Sequence, residues 1–120
     1  MKIPTGAILC AAMVPAAALA GQEVGEWAMD AGWCEEARLV FTADGTHESR
    51  MFDEGGWQSL ASAPYRREGD VLVIDNPGET ERLEVLEESA ERLVLRNADP
   101  ERRRQTGVMQ IELVRCGDGA

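Results

Sequence analysis

The sequence predicts an all-β domain, an antiparallel barrel or sandwich of about eight strands tied by one disulfide. Three observations lead there. Short apolar–polar alternations recur between turns rich in Gly, Pro and Asp. Behind an apolar leader the chain has the length of one small domain. That domain keeps two cysteines, Cys34 and Cys116, near its two ends.

The leader is MKIPTGAILCAAMVPAAALA, residues 1–20. Lys2 supplies the positive start, an apolar stretch runs from Ala7 to Leu19, and Ala18-Leu19-Ala20 has the small-x-small form of a signal peptidase site. A membrane span needs ~20 strongly apolar residues, and this run is short and alanine-rich. Residues 1–20 therefore read as a cleaved secretory signal, residues 21–116 as one domain and residues 117–120 as a short flexible tail. The expected location is the periplasm or the outside of the cell.

The chain carries 22 acidic and 12 basic side chains, a formal net charge of −10. With Lys2 gone the balance is 11 − 22 = −11. Nucleic acid and anionic lipid both require a positive face, so neither is an expected partner, and no membrane insertion is expected after cleavage. The charge suits a soluble, monomeric exported protein. In an exported chain an isolated cysteine pair is most simply a disulfide. Two free thiols or an intermolecular bridge are the competing arrangements. A Cys34–Cys116 bridge closes nearly the whole domain, for which chain entropy gives up to about 4.5 kcal/mol.

The elements follow in order. EVGEWAM opens the domain, and ARLVFTADGT is a strand ending in the Asp44-Gly45 hairpin turn. HESRMFDEGG leads to a glycine turn at Gly55-Gly56. WQSLASAPYRREGD has Pro64 in its middle, which cannot donate to a ladder and so marks an edge or bulge. VLVID is a β-branched strand closed by NPGE, and TERLEVLEES and ERLVLRN come next. Residues 79–96 support two readings. Their Glu, Arg and Leu content, with Leu83, Leu86, Ala90 and Leu93 at helical spacing, suits a helix, whereas the local pairs Leu83/Val85 and Leu93/Leu95 suit strands. ADPERRRQTG reads as a polar loop and VMQIELVRC as the last strand, with Met109, Ile111, Leu113 and Arg115 on one face.

The order of signals resembles a known group. Gly25-Glu26-Trp27 opens the domain, Phe41 with Asp44-Gly45 forms a strand and turn, Gly56-Trp57 opens another strand, Tyr65 precedes Gly69-Asp70-Val71-Leu72-Val73-Ile74, and Arg115-Cys116 ends the last strand. In this it resembles the small periplasmic lipocalin-like barrels of bacteria. That resemblance implies an antiparallel eight-stranded meander barrel with one disulfide. It also implies that Trp27 plugs one end of the barrel and that Arg115 packs over its ring through cation–π attraction and burial of its stem. Trp33 is then expected to cover the Cys34 bridge.

Chemistry is sparse. His47, the single histidine, lies in a polar strand and reads as exposed. No serine or cysteine sits in a nucleophile motif, one histidine cannot assemble a zinc site, and DEGG and DNPGE lack a calcium-loop pattern. The expectation is a non-enzymatic protein without cofactor or metal. It would hold a small, partly apolar ligand inside or at the mouth of the barrel, on inward residues such as Phe41, Trp57, Tyr65 and Ile74. The alternative is a protein–protein interaction module, for example an inhibitor of an exported hydrolase. For such a module the basic cluster Arg102, Arg103 and Arg104 in ERRRQ is a candidate contact for an anionic partner. A filled barrel interior favours the interaction module, and an open one favours the ligand carrier.

Overall fold

The structure is a computed structural model and describes residues 21–117. The secretory signal expected at residues 1–20 and most of the expected tail lie outside the described residues. Eight strands run in simple sequence order: β1 Gly25–Ala28, β2 Ala37–Phe41, β3 Thr46–Asp53, β4 Gly56–Glu68, β5 Val71–Asn76, β6 Glu79–Glu88, β7 Arg92–Asn97 and β8 Ile111–Arg115. Every neighbouring pair is antiparallel. β1 pairs β8 through Trp27↔Arg115 and Ala28↔Val114, which closes the barrel. The fold is an all-β, closed, eight-stranded meander barrel with one disulfide. Residues 79–96 are strands, not a helix. Leu86, part of the expected helical stripe, falls at a register shift between Val85 and Glu87 and is exposed.

The turns sit where the sequence places them because each is locally encoded. Gly45 holds φ +92°, a conformation that disfavours side chains, and a Cβ there would press on the Tyr65 carbonyl. The Asp53 carboxylate accepts from the Gly55 amide at 3.0 Å and stabilises the β3–β4 turn.

One assignment is corrected. ERRRQ is not a loop: Pro100–Thr106 form a helix, α1. Asp99 caps it by accepting from the Glu101 amide, Pro100 starts it with a preset φ, and Gly107 ends it at φ +76°. The last strand is accordingly shorter than expected. Ile111, Leu113 and Arg115 lie on it, while Met109 precedes it and is exposed.

Ten side chains fill the interior: Trp27, Phe41, Ala63, Tyr65, Leu72, Ile74, Leu83, Leu93, Leu95 and Leu113, with Leu39, Val85 and Ile111 packed against them. On the outer wall Ala28, Cys34 and Cys116 form a second small cluster around the bridge, whose cysteine Cα atoms are 5.6 Å apart and which joins residues 82 positions apart in sequence. The bridge thus fastens the β1–β2 loop across the seam where β1 meets β8.

In a meander, successive connections alternate between the two ends. The chain start and the turns after β2, β4 and β6 lie at one end. The β1–β2 loop, the β3–β4 and β5–β6 turns and α1 lie at the other. The two ends differ in construction.

Candidate functional site

The first end is sealed. Residues 21–24 cross it before β1, and their backbone is held by two side chains from the barrel. The Trp27 indole N–H donates to the Glu23 carbonyl at 2.9 Å, and Arg115 donates to the carbonyls of Val24 and Gln22 at 2.9 and 3.0 Å. The Arg115 guanidinium lies 4.3 Å from the centre of the Trp27 ring. It also donates to the Ala90 carbonyl, so the β6–β7 turn joins the seal. Gly25 holds φ +144°, a conformation that disfavours side chains, and a Cβ there would displace the Arg115 guanidinium from its place.

Beneath the strap sits a buried polar network. The Glu23 carboxylate is 2% exposed. It accepts from the Tyr65 hydroxyl at 2.7 Å and from Arg67 at 3.2 Å. Arg67 also grips Glu88 in a two-toothed pair at 2.7 and 2.8 Å and donates to the Gly69 carbonyl. Burial, reinforced by the bond to Glu23, pushes the Tyr65 hydroxyl well above the usual tyrosine range, so it stays a donor. Each charged group in the network has a partner, which a buried ion pair requires if it is not to destabilise the fold.

The opposite end is open and apolar. Pairing of β4 with β5 stops at Tyr65↔Ile74, and the next residue outward is Pro64, which has no N–H to continue the ladder. Beyond that point β4 pairs with β3 alone, from Thr46↔Pro64 to Asp53↔Gly56, with Leu60 as the extra residue of a bulge opposite Ser49 and Arg50, while the other edge of β3 stays paired with β2 from Phe41↔His47 to Ala37↔Met51. The inner side of the β3–β4 hairpin faces the β1–β2 loop across a cleft of about 230 Å³. Its lining includes Met29, Trp33, Leu39, Met51 and Leu60 with the Ser49 hydroxyl, and it reaches inward to Trp27, the residue that also serves the sealed end. Met29, Trp33, Met51 and Leu60 are exposed, at 63%, 56%, 46% and 60%. These exposures mark a concave apolar surface open to solvent, the feature that identifies binding sites. A smaller and more polar recess of about 170 Å³, lined in part by Leu83, Arg96, Arg102, Met109 and Ile111, opens at the same end beside α1.

The expected site residues divide between these regions. Phe41 and Ile74 are 1% exposed and pack in the core. Tyr65 also packs in the core, edge-on to Phe41, and its hydroxyl serves the sealed end. Trp57 is not inward. It lies on the hairpin against Phe52, with the Arg38 guanidinium 4.9 Å from its ring centre. The period-two alternation fails for Trp57 because the bulge at Leu60 separates it from the register of Ala61, Ala63 and Tyr65. Trp33 is exposed and lines the cleft. Arg102 pairs with Glu79, Arg103 donates to the Asn97 carbonyl and Arg104 pairs with Glu101, so all three arginines are engaged within the chain. His47 is half-buried rather than exposed. It stacks on Phe41 at 4.5 Å, and burial holds its pKa below the ordinary value.

Several contributors carried no readable signal. Glu23 finds partners 42 and 44 positions away. Arg38, with its side chain 5% exposed, joins Glu26, the Cys34 carbonyl and Trp57 on the outer wall. Met29, Met51 and Leu60 form the cleft, yet single apolar residues in strands and loops look alike whether they face a core or a groove.

Among the described residues no group of three or more His, Cys, Asp and Glu side chains is placed to hold a metal ion, and no helix is long and apolar enough to cross a membrane. No protein-family model, curated protein or solved structure matches the chain.

Proposed function

We propose that this protein is a non-catalytic, exported binding protein that holds a small, partly apolar ligand at the open end of its barrel. The observation that carries the reading is the apolar cleft at the open end, whose Met and Trp side chains are exposed; the packed interior taken alone favours the interaction module, and for a ligand it leaves the rim rather than the centre. The cleft between the β1–β2 loop and the β3–β4 hairpin has the size for a small hydrophobic molecule or part of one. Methionine thioethers adapt to irregular apolar surfaces, and Trp33 offers a flat face for stacking. Ser49 provides one hydroxyl to orient a polar end. The lipocalin-like resemblance agrees with ligand binding, with the site moved from the barrel's centre to its rim.

A second reading rests on the same packed interior. A barrel without an internal cup suits recognition of another exported protein, for example a hydrolase it inhibits, with an apolar side chain of the partner inserted in the cleft.

Titration with the uncharged fluorescent probe N-phenyl-1-naphthylamine tests the ligand reading. Saturable binding that disappears in Met51→Glu while thermal stability is retained supports it. Absence of saturable binding, or equal binding by Met51→Glu, contradicts it.

A further inference from the structure

We infer that the free edge of the β3–β4 hairpin is a self-association surface, on which β4 of a second copy of this chain adds as an antiparallel strand. A closed barrel normally has no strand edge to offer. Here one reappears. From Gly56 to Pro64, β4 pairs with β3 alone, because the β5 ladder reaches only Tyr65. Among the described residues the backbone of Trp57–Ala63 makes no bond outside the β3 ladder, and no side chain bonds to it. The side chains from Trp57 to Ser62 are all exposed. Among the described residues this strand edge is therefore left with a row of amide and carbonyl groups that have no hydrogen-bond partner.

Exposed edges are ordinarily protected by charge, by proline or by very short strands. This edge carries no charge and is not short, and what interrupts it along its length is the bulge at Leu60. Pro64 sits only at its inner end, where it stops the β5 ladder. Residues 55–65, GGWQSLASAPY, form the longest run without a charged side chain in the described chain, in a protein of which 28% of residues are charged. That run also selects the occupant. Two copies of a chain with net charge −10 repel one another over most of their surface. Along β4 there is no charge to oppose contact. Antiparallel pairing of a strand with its own copy satisfies two-fold symmetry with no second sequence needed. The product is a continuous sheet through both copies, β2–β3–β4–β4′–β3′–β2′. This surface uses the backbone edge of β4, whereas the ligand cleft uses the inner side of the hairpin, so either can exist without the other.

The test is the solution mass of the disulfide-bonded protein by light scattering over rising concentration, with hydrogen exchange at each end of the range. The expected result is a concentration-dependent dimer in which added amide protection is confined to Trp57–Ala63. The variant Ser62→Lys is expected to be monomeric. Ser62 lies opposite Glu48 within the hairpin, so the lysine gains a favourable partner in each copy but puts like charges near one another across the new pairing. Three results overturn the inference: a monomer at every concentration, a dimer that survives Ser62→Lys with protection elsewhere, and a monomer whose β4 edge is instead protected by a different protein carried from the cell envelope.

Discussion

The two ends of this barrel are made of the same strands and are opposite in design. At the sealed end the chain buries a carboxylate, a guanidinium and a tryptophan indole, and gives each of them partners. At the open end it leaves methionine, leucine and tryptophan in water around a cleft. Satisfied polar groups under a strap give rigidity, because any opening exposes several bonds at once. Exposed apolar side chains contribute almost nothing to the folded state until something covers them. The difference separates the part of the molecule that holds the fold from the part available to a ligand, and substitutions at the two ends should separate the same way.

The largest effect is expected at the sealed end. Trp27→Ala removes the most enclosed aromatic and leaves Arg115 without its stacking surface. It should destabilise the protein by about 3–5 kcal/mol, read from the urea midpoint. A loss near that of an ordinary surface site would mean that the tryptophan is not what closes the barrel. Tyr65→Phe is gentler. It keeps the ring in the core but deprives the buried Glu23 carboxylate of one of its two donors, and it should cost roughly 1–3 kcal/mol.

A third comparison uses pH. His47 is partly buried against Phe41, and burial lowers its pKa from the ordinary value of about 6.5. The unfolded chain therefore takes up this proton at a higher pH than the folded one does. Its contribution to stability is complete above about pH 6.5 and is lost as pH falls from there toward the folded-state pKa. As the single histidine, His47 should account for most of the change in urea midpoint between about pH 7 and pH 5.5, and His47→Gln should flatten that part of the profile. An unchanged slope would place the titrating group elsewhere.

The smallest stability effect belongs to the open end. Leu60→Ser should alter stability by no more than about 0.5 kcal/mol, as expected of exposed positions, yet weaken binding of an apolar ligand. If it destabilised as much as Tyr65→Phe, the cleft would be part of the core and the contrast between the ends would fail.

The sequence reveals the barrel more fully than the site, for physical reasons. Turns such as Asp44-Gly45 and Gly69-Asp70 are encoded within a few residues, and alternation within each strand separates inward from outward. The helix α1 was also locally encoded, by Asp99, Pro100 and Gly107, but the charged run ERRRQ between them reads equally well as a solvated loop. The cleft depends on where the β5 ladder stops. Pro64 marks that place in the sequence, but not which residues are left uncovered beyond it. The sealing network depends on Glu23 meeting Tyr65 and Arg67, contacts that no local pattern contains.

The most direct test of the division between a stabilising end and a binding end is native mass spectrometry of the protein purified gently from its own host, comparing the wild type with Met51→Ser and Tyr65→Phe. A small-molecule mass retained by the wild type and by Tyr65→Phe, and absent from Met51→Ser, is the predicted result. A retained molecule that survives Met51→Ser but is lost with Tyr65→Phe would place binding at the sealed end and contradict the account.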